Sequence, residues 1–173
     1  MVDDEDVLIA VLNSAPRDGG DPAEQLIGAR GAALARRCGG NGSEAELRRL
    51  RAARDALQAA IRGQADPAPT LQQLLSDVSR RPAVTSVRVS WVVDGPPDAL
   101  LPVRVIQAWS DVNDRLPGRL KPCANPECNF FLIDRSRPGT AKWCSMAACG
   151  NQMKARTYAA RRRAARQHGQ EER

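Results

Sequence analysis

The sequence predicts an α+β protein, in which a mostly helical N-terminal domain with a small β-sheet precedes a cysteine-rich module that ends in a basic helix. Three observations lead to this prediction. Within residues 43–62, mostly apolar residues recur at spacings of three and four, as on the buried side of a helix. A segment near residue 90 alternates apolar and polar residues instead, as a half-buried strand does. Four of the five cysteines lie within residues 123–149.

Capping residues and apolar spacing place the predicted helices. Pro22 follows Asp21 and suits the first position of a helix. Ser43 and Glu46 have the spacing of a capping box, in which a hydroxyl and a carboxylate satisfy free backbone amides at the helix start. We predict helices over residues 6–14, 22–37, 43–62, 70–80 and 103–116.

The helix over residues 43–62 has the clearest buried stripe. Its members are spaced by three or four residues and are Leu47, Leu50, Arg54, Leu57 and Ile61. The helix over residues 70–80 is predicted to begin at Thr70, with Gln73 repeating the capping pattern.

One strand of the predicted sheet lies within residues 84–93. Val87, Val89, Trp91 and Val93 alternate with smaller or polar residues, which predicts a strand with one buried face. The sequence Asp-Gly-Pro-Pro at residues 94–97 then predicts a turn.

Charge divides the chain near Lys121. Residues 1–120 contain 15 basic and 16 acidic residues, whereas residues 121–173 contain 11 basic and 4 acidic residues. We therefore predict two domains, over residues 1–118 and 119–173. A strongly basic second domain is typical of proteins that bind polyanions such as nucleic acids.

The cysteine spacing predicts a metal site. Cys123 and Cys128 form one C-x4-C pair, and Cys144 and Cys149 form a second. Four thiolates suit one tetrahedral zinc ion and leave no open position for catalysis, so we expect one structural zinc ion as the cofactor. Disulfides and a redox-active pair are the alternatives. A reducing compartment disfavours the first, and the absence of a C-x-x-C motif disfavours the second.

Residues between and after the two pairs suggest how such a module folds. A strand over residues 129–134, a Pro/Gly turn and a helix with Ser145 as its cap describe a treble-clef or ribbon-like module around one zinc ion. Because so short a segment buries little surface, metal binding is expected to be coupled to its folding.

The same residues resemble the CGNR-type zinc finger. The family pattern contains a cysteine pair, an aromatic strand, D-x-S-R and then W-C-S-M-x-x-C-G-N-R. It is matched here by Asp134, Ser136, Arg137, Trp143, Cys144, Ser145, Met146, Cys149, Gly150 and Asn151. The chain departs from it at Gln152, where the family has arginine. Residues 1–118 more weakly resemble the ABATE domain that usually precedes this finger, through the segment VLIAVLNS at residues 7–14, whose asparagine is Asn13. The resemblance implies a stress-induced transcriptional regulator of bacterial type.

The basic helix is the predicted binding element for duplex DNA. Its arginines flank an uncharged stripe of small residues, an arrangement that lets a helix approach a groove while cations reach phosphates on both sides. We expect Asn151 and Gln152 at the helix start to address bases or phosphate. The further predicted contacts are Lys154, Arg156, Arg161, Arg162, Arg163, Arg166, Arg137 and Lys142.

The sequence is also compatible with other functions and partners. The main alternative is a zinc-stabilised module that docks an acidic protein partner, without sequence-specific DNA binding. An enzyme is not expected, because the chain has no phosphate loop, no His/Asp/Glu ligand cluster and no nucleophile with a matching base. A small-molecule effector of residues 1–118 would use Asn13 and Trp91, and a homodimer would suit a regulator that reads two half-sites.

The acidic N-terminus lacks the positive charge of a secretion signal, and no stretch approaches the length of a membrane span. We therefore expect a cytoplasmic protein that makes no use of a membrane.

Overall fold

The computed structural model describes residues 2–17 and 21–171, with side chains described as far as residue 163. Within these residues it contains six α-helices and two small sheets, which confirms the predicted α+β class. The elements are α1 (Asp4–Leu12), α2 (Gly28–Arg37), α3 (Glu44–Ile61), α4 (Ala68–Leu74), β1 (Ser79–Val84), β2 (Val89–Asp94), α5 (Leu100–Arg115), β3 (Leu120–Pro122), β4 (Phe131–Ile133) and α6 (Asn151–Glu171).

Three helices, α1, α3 and α5, enclose the main core. The predicted stripe of α3 is confirmed, since Leu47, Leu50 and Leu57 are buried and Ile61 packs at the edge of the core. They meet the apolar residues of α1 and α5, among them Val7, Leu8, Val11, Val105 and Val112. Burial of large aliphatic side chains contributes about 1.5–3 kcal/mol each, so this cluster is the main source of stability.

The start of α3 is capped much as predicted. Ser43 Oγ accepts a hydrogen bond from the backbone N–H of Glu46 at 3.1 Å. The Glu46 carboxylate accepts from the N–H groups of Asn41 and Gly42, one residue or two before the expected partner Ser43. The N–H of Ser43 donates to the Asn41 side chain instead. The two side chains together satisfy the free amides at this helix end.

Helix α2 begins at Gly28 and not at Pro22 as predicted. The preceding segment pairs with the loop after α1: Ala23 N donates to Pro16 O at 2.8 Å, and Gln25 N donates to Ser14 O at 2.9 Å. These backbone hydrogen bonds hold the segment against the loop after α1 and postpone the helix to Gly28, whose φ of +53° suits glycine.

Helix α4 is shorter than predicted and is followed by a strand. It begins at Ala68, whose N–H donates to Asp66 Oδ1, and it ends at Leu74, so Thr70 is not its cap. The chain then enters β1, which contains Pro82. Residues 79–84 pair with β2 over their whole length, from Ser79 opposite Asp94 to Val84 opposite Val89, and this pairing takes residues 79 and 80 out of the helix.

The predicted strand exists as β2, but it is exposed and not half-buried. Strands β1 and β2 form an antiparallel hairpin that pairs with no other strand in the described part of the chain. Trp91 is 60% exposed and Val87, in the connecting loop, is 87% exposed. The alternating pattern predicts one buried face, whereas most residues of both strands are exposed within the described part of the chain.

The predicted boundary near residue 118 crosses a shared core. Strands β3 and β4 pair in register, with Lys121 opposite Leu132, and Leu120 and Phe131 belong to the same buried cluster as α1 and α3. The division into two domains remains a prediction, but the cysteine module shares apolar packing with the helices. Among the described residues, no helix is both long and apolar enough to span a bilayer.

Candidate metal centre and basic helix

The first cysteine pair lies on a tight turn between β3 and β4. The backbone N–H of Cys123 donates to Phe130 O at 2.8 Å, and that of Cys128 donates to Asn125 O at 2.9 Å. Asn125 also folds its side-chain oxygen back to accept from the N–H of Glu127 at 3.2 Å. These hydrogen bonds curl the turn so that both thiols face the same point.

The second pair lies at the entry to the basic helix. Ser145 is the cap, because its Oγ accepts from the N–H of Ala148 at 3.3 Å. A π-helical turn, Met146–Gly150, follows and carries Cys149, and α6 continues from Asn151. A wide turn of this kind is frequent at functional sites, and here it places Cys149 beside Cys144.

All four thiols of the two pairs converge. The ligand atoms of Cys123, Cys128, Cys144 and Cys149 lie within 4.8 Å of one another. Two of the separations are 3.7 Å, from Cys128 Sγ to Cys144 Sγ, and 3.6 Å, from Cys144 Sγ to Cys149 Sγ. A tetrahedron with Zn–S bonds of about 2.3 Å has edges of about 3.8 Å. The four cysteines can therefore hold one zinc ion, as predicted.

The disulfide alternative does not describe this geometry. All five cysteines are free, and the measured Sγ–Sγ separations far exceed a disulfide bond of about 2.05 Å. The fifth, Cys38, is buried in the core of the helices away from this cluster.

Hydrogen bonds to sulfur suit thiolate ligands. The N–H of Phe130 donates to Cys128 Sγ at 3.5 Å, and that of Cys144 donates to Cys123 Sγ at 3.4 Å. The Asn125 side-chain amide donates to Cys149 Sγ at 3.4 Å. Donors aimed at the ligand atoms stabilise negative charge on them and orient them toward a cation.

The protonation of the thiols is uneven. Burial raises the pKa of Cys144 well above its usual range, and burial also raises the pKa of Cys128. For Cys149, burial opposes the change, but the hydrogen bond from Asn125 and those of the neighbouring thiols lower the pKa overall. Because a cation displaces protons from such thiols, zinc binding is expected to depend strongly on pH.

Buried Asp134 organises the loop that leads to the second pair. Its carboxylate accepts from Lys121 Nζ at 2.8 Å, from the N–H and Oγ of Ser136, and from the N–H of Ala141. The hydrogen bonds from Lys121 and Ser136 hold the pKa of Asp134 well below its usual range. The D-x-S part of the motif is thus a structural element that fixes the loop.

Gln152 and Arg156 turn back toward the cysteine turn and not outward. The Gln152 side-chain oxygen accepts from Asn125 Nδ2 at 2.8 Å, and its nitrogen donates to Glu127 Oε2 at 3.2 Å. Arg156 forms an ion pair with the other oxygen of Glu127, and this ion pair lowers the pKa of that carboxyl. Both residues were predicted to contact DNA, yet their polar groups engage the module itself.

The other predicted DNA contacts with described side chains are exposed. Lys154, Arg161 and Arg163 project from α6, and Arg162 lies 5.8 Å from the ring centre of Tyr158. Asn151 is exposed at the helix start, although its amide nitrogen donates to Ala147 O at 3.3 Å. The two predicted contacts before the helix, Arg137 and Lys142, are also exposed. Arg166 is helical in backbone, and its side chain lies outside the described ones.

Asn13 and Trp91 do not form the predicted common pocket. Asn13 Nδ2 donates to Phe131 O at 3.1 Å, and Asn13 Oδ1 accepts from Phe131 N at 2.8 Å. Asn13 lines a cavity of about 450 Å³ between α1 and the cysteine module, but Trp91 is not among the residues that line it. Trp91 lies on the exposed hairpin, under the guanidinium of Arg80.

Asn125 and Glu127 support the metal centre from outside it and were not predicted from the sequence. Asn125 and Glu127 lie within the first C-x4-C pair, where Asn-Pro-Glu is a turn sequence, and that is the signal that could have pointed to them. The contacts of both residues with α6 lie far apart in the sequence, and no local pattern encodes them.

Fold and site together define a zinc finger of the four-cysteine type, with a structural site closed by thiolates. Residues 119–162 match the family model of the CGNR zinc finger, which agrees with the resemblance of the motif residues. The match begins at residue 119, so the likeness of residues 1–118 to the ABATE domain remains a prediction. A comparison of the chain with curated proteins gave no match.

Proposed function

We propose that the protein is a DNA-binding transcriptional regulator in which a structural zinc site positions the basic helix α6 on duplex DNA. One observation carries the proposal. Helix α6 begins at Asn151, two residues after the predicted zinc ligand Cys149, and has no acidic residue from Asn151 to Gln170. With 21 residues this helix is about 31 Å long. An α-helix with its side chains is narrow enough to lie in the major groove of B-DNA.

The contacts divide by position along this helix. Lys154 and the arginines at 161–163 are exposed cations and would bind phosphates, a contribution that every sequence shares. Arg156 would contribute less, because Glu127 already neutralises it. Asn151 is exposed at the start of α6, two residues after Cys149, and it is the candidate for a contact with a base edge.

Salt dependence of binding tests the phosphate contacts. We expect the triple variant Arg161→Gln, Arg162→Gln, Arg163→Gln to bind all duplexes more weakly and to flatten the log–log salt slope by up to about 3 units, at roughly 0.9 per lost contact. The matched control removes three exposed arginines of the helical part, Arg30, Arg37 and Arg48, and should leave the slope unchanged. An unchanged slope in the α6 variant would exclude this helix as the binding element.

The exposed side chains of Met146 and Tyr158 favour one alternative, a protein partner, and the exposed cations of α6 beside them would select an acidic one. Polyglutamate serves as the probe for this alternative, because it presents carboxylates without bases or phosphates. The DNA proposal predicts that duplex DNA displaces bound polyglutamate at matched charge concentration, and that excess polyglutamate does not displace DNA. The reverse order of affinity would favour the protein partner.

We also propose that a small-molecule effector binds to residues 1–118. The cavity lined by Asn13 borders Cys128, Cys144 and Cys149, so a small molecule bound there would contact both α1 and the zinc finger. A change in DNA affinity on adding such a molecule, absent in a variant that fills the cavity at Ile9, would support this role.

A further inference from the structure

The β1–β2 hairpin is an apolar ribbon that the rest of the described chain leaves uncovered. On one face lie Val84, Val89 and Trp91, which are 79%, 61% and 60% exposed. A two-stranded hairpin is marginally stable in water by itself and gains stability when further strands extend it. The apolar composition of this exposed ribbon therefore indicates a docking surface.

Only one edge of this ribbon is open to another strand. Thr85 N donates to Arg88 O, so Thr85 and Arg88 form the first hydrogen-bonded pair after the loop. Hydrogen-bonded and non-hydrogen-bonded pairs alternate, which makes the pair of Pro82 and Trp91 a non-hydrogen-bonded one. The position of the missing amide of Pro82 therefore faces the outer edge of β1 and blocks it.

The edge of β2 carries no such block. By the same alternation, the backbone N–H and C=O groups of Val89, Trp91 and Val93 point away from β1. Strand β2 contains no proline and no lysine, the residues that commonly protect an edge. An added strand can therefore form a regular ladder along β2.

The sequence of β2 is complementary to itself in one register. In this register the β2 strands of two copies run antiparallel, with Trp91 of one copy opposite Trp91 of the other. Val89 then lies opposite Val93 of the second copy, and Ser90 lies opposite its Val92. The same register sets Arg88 opposite Asp94 of the second copy, and Asp94 opposite its Arg88. Opposite charges at facing positions stabilise a strand pair, and both pairs recur through the two-fold symmetry.

We propose that the protein forms a homodimer through the β2 edges of two copies, giving a four-stranded antiparallel sheet in the order β1–β2–β2–β1 with Trp91 at the two-fold axis. The face formed by Pro82, Val84, Val89, Trp91 and Val93 becomes continuous across the two copies. Arg80, whose guanidinium lies 5.9 Å from the Trp91 ring centre, flanks that face on each side.

Charge reversal across the axis tests this register in the zinc-loaded full chain by sedimentation equilibrium. We expect a dimer whose dissociation constant rises at least about 10-fold in Arg88→Asp, because like charges then face each other twice. The double variant Arg88→Asp, Asp94→Arg should bind at least about 3-fold more tightly than Arg88→Asp alone. It should not regain the original value, because Asp94→Arg also removes the ion pair of Asp94 with Arg81 of its own hairpin. Arg48→Asp makes an equal charge change at an exposed position of α3 and should leave the dissociation constant unchanged.

A second variant tests the backbone ladder itself. Val89→Pro removes an outward-facing amide, as Pro82 does on β1, and should abolish the dimer while circular dichroism stays that of the folded chain. A chain that remains monomeric up to about 100 µM would overturn the proposal. So would a dimer that Arg88→Asp and Val89→Pro do not weaken, or a double variant that binds no more tightly than Arg88→Asp alone.

Discussion

The side-chain amide of Asn13 forms two hydrogen bonds with the backbone of Phe131, at 3.1 Å and 2.8 Å, and so stands in for a neighbouring β-strand. Asn13 ends α1, whereas Phe131 begins β4 of the zinc finger. The two residues are 118 positions apart. This contact and the burial of Phe131 join the finger to the helical core.

Asn13→Ala is expected to loosen this junction. It removes both hydrogen bonds and leaves the backbone N–H and C=O of Phe131 without the side-chain partner they have in the native protein. The free energy of unfolding should fall by about 1–3 kcal/mol. Denaturant unfolding measures the loss. Asn113→Ala, at a half-buried position of α5, is the matched control and should cost less than about 1 kcal/mol. Equal losses for the two variants would show that Asn13 has no special role at the junction.

Cys144→Ser is expected to unfold the zinc finger before the helical core. Serine is a poor zinc ligand, and the metal supplies much of the stability of so small a module. We expect Co²⁺ to lose its four-thiolate absorption and limited proteolysis to cut first within residues 135–163. Cys38→Ser, at the cysteine outside the cluster, should retain the Co²⁺ spectrum. A Cys144→Ser protein with the original spectrum and protease pattern would contradict a four-thiolate centre.

Gln152→Ala is expected to affect the metal centre more than DNA selectivity. Gln152 holds the Asn125 amide, which in turn donates to Cys149 Sγ, so its loss should weaken zinc binding by about 10-fold or more. Competition with a chromophoric chelator measures the affinity. Asn151→Ala, one residue earlier, should change zinc affinity little and lower discrimination between duplexes. If Gln152→Ala altered only DNA selectivity, its role would be the base contact first predicted from sequence.

Glu24→Gln is expected to flatten the acid dependence of stability. Burial opposes the shift, but the hydrogen bonds from Arg54 and Leu26 hold the pKa of Glu24 below its usual 4.5. A carboxyl with a lowered folded pKa stabilises the protein above its unfolded pKa, and this contribution is lost as the pH falls below about 4.5. The variant should lose about 1–3 kcal/mol at pH 7 and respond less to acid over that range.

Zinc release in acid would mask this effect, so unfolding of the helical core is followed in the Cys144→Ser background. Asp66→Asn is the matched control, since Asp66 is exposed and its carboxylate accepts from the N–H of Ala68 without an ion pair among the described residues. An acid slope that stays the same in Glu24→Gln would show that the Glu24–Arg54 pair does not set it.

Local signals predicted the parts of this molecule that are encoded locally. The cap at Ser43, the stripe of α3 and the four ligand cysteines depend on residues close in sequence, and all of them are confirmed. The start of α2 depends on backbone hydrogen bonds to the loop after α1, which compete with the local helix signal at Pro22. The exposure of Trp91 depends on whether another element packs on β2, and none of the described ones covers this residue. The inward turn of Gln152 is of the same kind, because its partners lie 25 and 27 residues away.

We propose that zinc held by four cysteines positions α6 for DNA, and one titration tests this proposal. Zinc content and affinity for a fluorescent duplex are measured together while a chelator removes the metal, at a fixed salt concentration. We expect about one zinc ion per chain and a fall in DNA affinity in proportion to the zinc lost. Zinc content and DNA affinity should both recover with Zn²⁺ but not with Mg²⁺. A chain that binds DNA with unchanged affinity after complete removal of zinc, or that holds no zinc when folded, would contradict it.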